Sequence, residues 1–284
     1  MTTVSFIRAI RQSKPPRTIE HYRNKRAKSA TSNNFSIQYS PSDALRFSIM
    51  YHHPQYAQHL LDKYPRQCLS DTVCCPLILI AVQNNEYGIL HYLCHYSMKH
   101  NLRSNDQPYV DARGCVALEE GKTALHMAAE MGKPEYCRLL LNYNADFHAF
   151  DSEGNTPLDR ALGALIRILQ YGPRSSSNTP RSKTQGIVQC IIDLMKCETK
   201  ISSDKTLKLL DTARMVIEEI RTEIHDEEIE NIIRIFPNNS NSPLSLLQLT
   251  RCSIRHRIGH KYKSDSIQHL QLPKLLQQYL ELLY

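Results

Sequence analysis

The chain has no tryptophan and only nine glycines in 284 residues. Glycine this sparse, and nowhere clustered, leaves no loop of the kind that cradles a phosphate at the head of a helix. No apolar run reaches the ~20 residues that a membrane-spanning helix needs. The opening residues, MTTVSFIRAIRQSKPPR, lack the long apolar core of a secretory signal. Nine cysteines, an odd number without regular spacing, are expected to be reduced thiols in a cytoplasmic protein, with the nucleus as a second compartment. Acidic residues are nearly missing from residues 1–38, where eight basic residues face Glu20 alone and leave +7, the formal charge of the whole chain. That stretch, with Pro15-Pro16 and the run SATSNN, reads as a basic disordered tail. Three roles fit it. RNKRAK suits a nuclear or nucleic-acid tail, and the Arg-rich, acid-poor start with Val4, Phe6, Ile7 and Ile10 suits a mitochondrial presequence. A solvated tail without a dedicated partner is the third.

Catalytic groupings are missing as well. His52-His53, and Cys74-Cys75 with Cys94, give no C-x-x-C pair of the kind that zinc sites use. His91 and His95 stand four apart on a helix, but they flank a core-like Leu93 and no cysteine pair accompanies them. The run from Glu218 to Glu228 reads as a solvated helix face and linker. No nucleophile stands beside a base. The expectation is a chain with no catalytic residue, metal or cofactor of its own.

What is present is concentrated between Gly121 and Leu158. Thr123 is a helix start, and Leu125, Ala128 and Ala129 share one face of the helix that follows. Gly132 is suited to stop that helix with a positive φ, and Pro134 to open the next. Cys137, Leu140 and Leu141 form the apolar face of the second helix, and Asn144 is a left-handed cap. Asp146 to Glu153 is extended, and the pattern restarts at Gly154, so Leu158 follows Leu125 by about 33 residues. In period and in the T-A-L-H-x-A-A run this stretch resembles the ankyrin repeat, which implies stacked helical hairpins with projecting fingers. The resemblance gives His126 the work of bonding backbone between turns.

The same frame extends both ways. Ala44-Leu45, Pro54, Tyr56 and Leu60-Leu61 match a first repeat, over about 42–73. Pro76-Leu77, with Ala81 and Leu93, opens a second over 74–120, lengthened by the polar loop SMKHNLRSNDQPYVDARGC. The third covers 121–153. The fourth, 154–198, starts at Thr156-Pro157-Leu158 and continues through Leu162, Leu165, Ile166 and Leu169. There YGPRSSSNTPRSKTQG reads as an exposed loop ahead of a second helix, IVQCIIDLMKC. Leu207, Leu210, Ile217, Ile220 and Ile224 then mark an amphipathic helix, expected to cap the stack within 201–237. QYSPSDALRFSI, YAQHLLDKYPR, YGIL and the third repeat are also similar to the family of ankyrin repeat domain-containing protein 9.

The last segment, 240–284, departs from plain repeats. Ser242 and Pro243 suit a helix start and Gly259 a stop, with Leu246, Thr250, Ile254 and Ile258 recurring every four residues. A second helix is expected from Pro273, carrying Leu276, Tyr279, Leu280 and Leu283. The pair resembles a SOCS box, the adaptor-docking module of cullin–RING ubiquitin ligase receptors. That resemblance implies that Leu246, Thr250 and Ile254 meet elongin C, with Thr250 where Cys is usual. It implies that Leu272, Pro273, Leu276, Tyr279 and Leu280 meet cullin 5 or cullin 2. The reading is therefore an all-α ankyrin solenoid of about four imperfect repeats, a helical cap and SOCS-box-like helices. Its implied partners are elongin B/C, a cullin with its RING protein, and a target protein. Target contacts are expected at Arg103 and Arg113 in the inserted loop, and at Phe147, His148 and Phe150 on a finger. The other reading is an ankyrin scaffold without a ligase. Nucleic acid and membrane are not expected partners.

Overall fold

The computed structural model of the chain describes residues 2–24, 39–69, 75–104, 107–171, 178–197, 203–223, 269 and 272–280. Helices dominate, and the described chain falls into two units, 1–114 and 115–284.

The first unit begins with α1 (Thr2–Arg11) and α2 (Pro16–Asn24). The expected disordered tail is thus folded over 2–24, while RNKRAK lies largely outside the described residues. The reason is burial at helical spacing. Phe6, Ile10 and Ile19 are almost wholly covered, and Phe6 stacks on Tyr39 with centroids 4.7 Å apart. Pro16, read as a mark of disorder, stands at the first position of α2, where a missing N–H costs nothing. Glu20 and Arg23 are buried together, so part of the charge is internal.

Next come α3 (Pro41–Met50), α4 (Pro54–Lys63) and α5 (Pro65–Leu69). Ser40 and Asp43 form a reciprocal capping box at the start of α3. His53 caps α4, its Nδ1 accepting from the Tyr56 N–H at 3.3 Å, while its Nε2 meets the Lys14 carbonyl at 3.1 Å. A carbonyl only accepts, so Nε2 carries the proton. One imidazole thus caps a helix and ties down the link between α1 and α2.

The second hairpin is α6 (Leu77–Gln83) and α7 (Tyr87–Lys99). Within the α3–α4 and α6–α7 hairpins, and within the hairpin of the third repeat, the left-handed turn residues are His52, Asn85 and Gly132. They put Ile78, rather than Leu77, level with Leu125. The expected register of the second repeat was one residue off, because LILIAV is apolar at every position and offers no phase. Beyond α7 a short antiparallel pair, β1 (Arg103–Ser104) and β2 (Gln107–Pro108), leads into a 3-10 turn at Tyr109–Asp111. Tyr109, Val110 and Ala112 are buried, so the inserted segment, expected as a polar loop, pins its far end into the core of its unit.

The second unit holds α8 (Val116–Glu119), α9 (Ala124–Glu130), α10 (Pro134–Asn142), α11 (Pro157–Tyr171), α12 (Asn178–Met195), α13 (Asp204–Glu223) and α14 (Lys274–Leu280). Gly132 (φ 68°) and Asn144 (φ 65°) stand in the left-handed region, as their places in the repeat require. Helix α12 starts at Asn178, well before the expected loop end, since a proline in a first turn, here Pro180, is tolerated. It crosses the α9–α10 turn so closely that a Cβ on Gly186 would lie 2.2 Å from the Gly132 carbonyl oxygen. Helix α13 packs on α11, burying Leu210, Ala213, Val216 and Ile217. Of its expected apolar stripe, the Ile220 side chain and Ile224 lie outside the described part.

Candidate functional site

The finger between α10 and α11 is built by one buried carboxylate. Asp151 accepts from the backbone N–H groups of Glu153 (2.9 Å) and Asn155 (2.8 Å) and from Arg160 Nε at 2.5 Å. Burial would raise its carboxyl, but the Asn155 N–H and Arg160 outweigh that and hold it below its ordinary value. Arg160 also reaches Glu120 (2.8 Å) and Glu153 (3.1 Å). His126, wholly buried, sits beneath. Its Nδ1 accepts from the Thr123 N–H at 3.2 Å, and its Nε2 donates to the Asn155 carbonyl at 3.0 Å. An N–H on one side and a carbonyl on the other fix a neutral imidazole. It joins one repeat to the finger of the next and has no proton to trade.

On this frame Phe150 is 56 % exposed. His148 is exposed, and Phe147 is half-buried against it with ring centroids 4.2 Å apart. Sequence reasoning missed two neighbours in the chain's fold. Val116 and Leu118 on α8 are 68 % and 77 % exposed, and α8 is tethered to the finger because the Glu120 carbonyl accepts from the Ser152 N–H (2.9 Å) and hydroxyl (2.6 Å). Their signal was an apolar pair in a segment too short to show a period. Arg103 and Arg113 are exposed but belong to the first unit. The five residues expected to touch a target are therefore divided between the units, three in one and two in the other.

The fourth repeat ends the series with an exchanged residue. Asp159 occupies the place that His126 holds in the third. Its carboxylate accepts from the Thr156 N–H at 2.9 Å and from the Thr206 hydroxyl on α13 at 2.7 Å. Lys205 adds bonds to the carbonyls of Glu153 and Gly154. The polar group that elsewhere holds a following finger here holds a helix.

Near the C-terminal end, Pro273 precedes α14, and its carbonyl accepts from Leu276 and Gln277. Leu275 is 66 % exposed and Leu276 39 % exposed. Leu272 is half-buried and Pro273 exposed. The backbone of Tyr279 and Leu280 continues α14, while their side chains lie outside what the structure describes. So do Leu246, Thr250 and Ile254.

The buried thiols are poorly placed for chemistry. Cys137 and Cys190 face each other across α10 and α12, sulfurs 3.6 Å apart. Burial pushes the Cys137 thiol well up, and does the same to Cys94. Among the described residues no group of three His, Cys, Asp or Glu could hold a metal ion, and no helix is long and apolar enough to cross a membrane.

Comparison with known families matches residues 78–172 to ankyrin repeats in three copies, and residues 242–281 to a SOCS box. The chain is 31 % identical to Ankyrin repeat domain-containing protein 9 of Mus musculus over 180 residues, which is 61 % of this chain and 55 % of that one. It is 34 % identical to human Rabankyrin-5 over 77 residues, 26 % of this chain and 7 % of the relative, with a similar match to the mouse protein. The chain thus spans about half of the first relative and a small part of the second. Helical hairpins with left-handed turns, a His-bonded finger and both family matches give one result: the chain carries ankyrin repeats followed by a C-terminal SOCS box, and is similar to Ankyrin repeat domain-containing protein 9.

Proposed function

We propose that this chain is the substrate-recognition subunit of an elongin B/C–cullin–RING ubiquitin ligase. The observation that carries the reading is the order of the two modules, ankyrin repeats at 78–172 and then a SOCS box at 242–281. Leu246, Thr250 and Ile254 meet elongin C. Leu272, Pro273, Leu276, Tyr279 and Leu280 meet a cullin, either cullin 5 or cullin 2. The exposure of Leu275 and Leu276 supports this, because apolar side chains left open on a short helix are available to a partner.

The target protein is held by the finger residues Phe147, His148 and Phe150, joined by Val116 and Leu118. Arg103 and Arg113, in the first unit, offer a separate basic contact. Aromatic groups on a rigid finger give contact area at little cost in conformational freedom. The chain performs no chemistry. Ubiquitin transfer belongs to the E2 and RING partners, in the cytoplasm, and this subunit raises the effective concentration of target lysines beside them.

The test is an affinity pull-down of the full chain, wild type and Leu246→Asp, probed for elongin B and C. Elongin in the wild type and its loss in the variant are expected. Its absence from the wild type reduces the protein to an ankyrin scaffold.

A further inference from the structure

A cleft of about 520 Å³ opens in the first unit between α2 and α4, lined by Arg17, Glu20, His21, Asn24, His59 and Lys63. It is open to solvent along much of its length, and its walls are basic. Arg17, Glu20, His21 and Asn24 follow at i, i+3, i+4 and i+7 on one face of α2. His59 and Lys63 stand one turn apart on α4.

The single acid of the lining is already engaged. Glu20 accepts from Arg23 through both oxygens, at 2.6 and 3.0 Å, and from the Tyr56 hydroxyl at 2.9 Å. Its charge is cancelled within the protein. Arg17 and Lys63 have no carboxylate partner among the described residues. His59 adds a second, independent sign. Its ring is stacked on Tyr56, centroids 6.3 Å apart, and its Nε2 is buried with no hydrogen-bond partner. Buried polar atoms are nearly always bonded, so an orphan at the edge of a cleft points to an absent group.

We propose that this cleft binds a phosphate monoester, borne on a protein segment or free. Two cations match a dianion, whereas a carboxylate would neutralise only one. The imidazoles supply further N–H donors to the remaining oxygens. The site lies wholly in the first unit and needs neither elongin nor cullin docking, so either reading can fail without the other.

The experiment follows the imidazole proton signals of the full-length chain by NMR at constant ionic strength. The probes are inorganic phosphate, a phosphoserine peptide and the same peptide with plain serine. Saturable shifts of His21 and His59 are expected with the first two and not with the third. The charge reversals Arg17→Glu and Lys63→Glu together weaken binding by on the order of a hundredfold, about tenfold for each charge facing a dianion. Both side chains are exposed, so melting should be unchanged. Should the reversed pair unfold, Arg17→Gln with Lys63→Gln gives the same ordering with a smaller drop. A phosphopeptide that binds more tightly than phosphate assigns the site to a protein partner, and the reverse order to a free phosphoester. No saturable shift in any arm, or equal affinity in a folded charge variant, overturns the proposal.

Discussion

Replacing Glu20 by Gln is the sharpest probe of how the N-terminal helices are held. Glu20 is 7 % exposed, and its carboxylate is shared by Arg23 and Tyr56. Burial alone would raise its pKa, yet the Arg23 bonds and charge, with the Tyr56 hydroxyl, draw it from 4.5 down to about 2. A displacement of that size corresponds to about 3 kcal/mol of stability at neutral pH. The folded value lies below the unfolded one, so the contribution is complete above about pH 4.5 and fades as pH falls toward 2. Gln keeps the shape and one acceptor but leaves the buried Arg23 without its counter-charge, so a loss of about 2–4 kcal/mol at pH 7 is expected. Hydrogen exchange of the intact protein, read on peptides from α2 and α4 between pH 7 and pH 3, measures it region by region. The gap between wild type and Glu20→Gln should be widest at pH 7 and narrow below pH 4.5. Unchanged protection in the variant, or a gap constant across that range, would refute the reasoning.

Gly186→Ala sets a Cβ against the Gly132 carbonyl, a backbone atom that cannot swing aside. Loss of at least 1–3 kcal/mol, on the order of other overpacked contacts, should appear as an earlier thermal transition in the second unit. Thr206→Val removes the hydroxyl that Asp159 accepts from. The Asp159 oxygen left without its donor should cost about 1–3 kcal/mol, the other still accepting from the Thr156 N–H, seen as faster exchange along α13 with α9 and α10 spared. Leu276→Asp, at a half-open position on α14, should leave melting unchanged and elongin capture intact while abolishing cullin capture. Loss of both partners would show that α14 serves the first SOCS helix instead.

The third repeat was legible almost residue by residue, because each signal there was local. A Thr cap three residues before a His, a Gly at a positive φ and a Pro at a helix start need no knowledge of distant contacts. The N-terminal helices were not, since their case rests on long-range burial. Phe6 finds Tyr39 and Phe47, and Glu20 finds Tyr56, across gaps that composition cannot see. Eight cations against one acid suggested disorder only while Arg23 was counted as free. The inserted segment misled for a related reason, as Tyr109 and Val110 are anchors set within polar neighbours. Val116 and Leu118 show the opposite failure. Two apolar residues in a segment too short to show a period face water, and the Glu120–Ser152 bonds keep that segment beside the finger. The SOCS box was legible as a pattern of leucines around Pro273, which its family match repeats.

Membership of a ubiquitin ligase turns on whether the purified chain binds elongin B/C. Calorimetric titration of the full-length protein with elongin B/C complex, beside Leu246→Asp with the same melting profile, measures it. An equimolar complex for the wild type, and at least a hundredfold weaker binding for the variant, is the result predicted. No heat and no complex with the wild-type chain would contradict it.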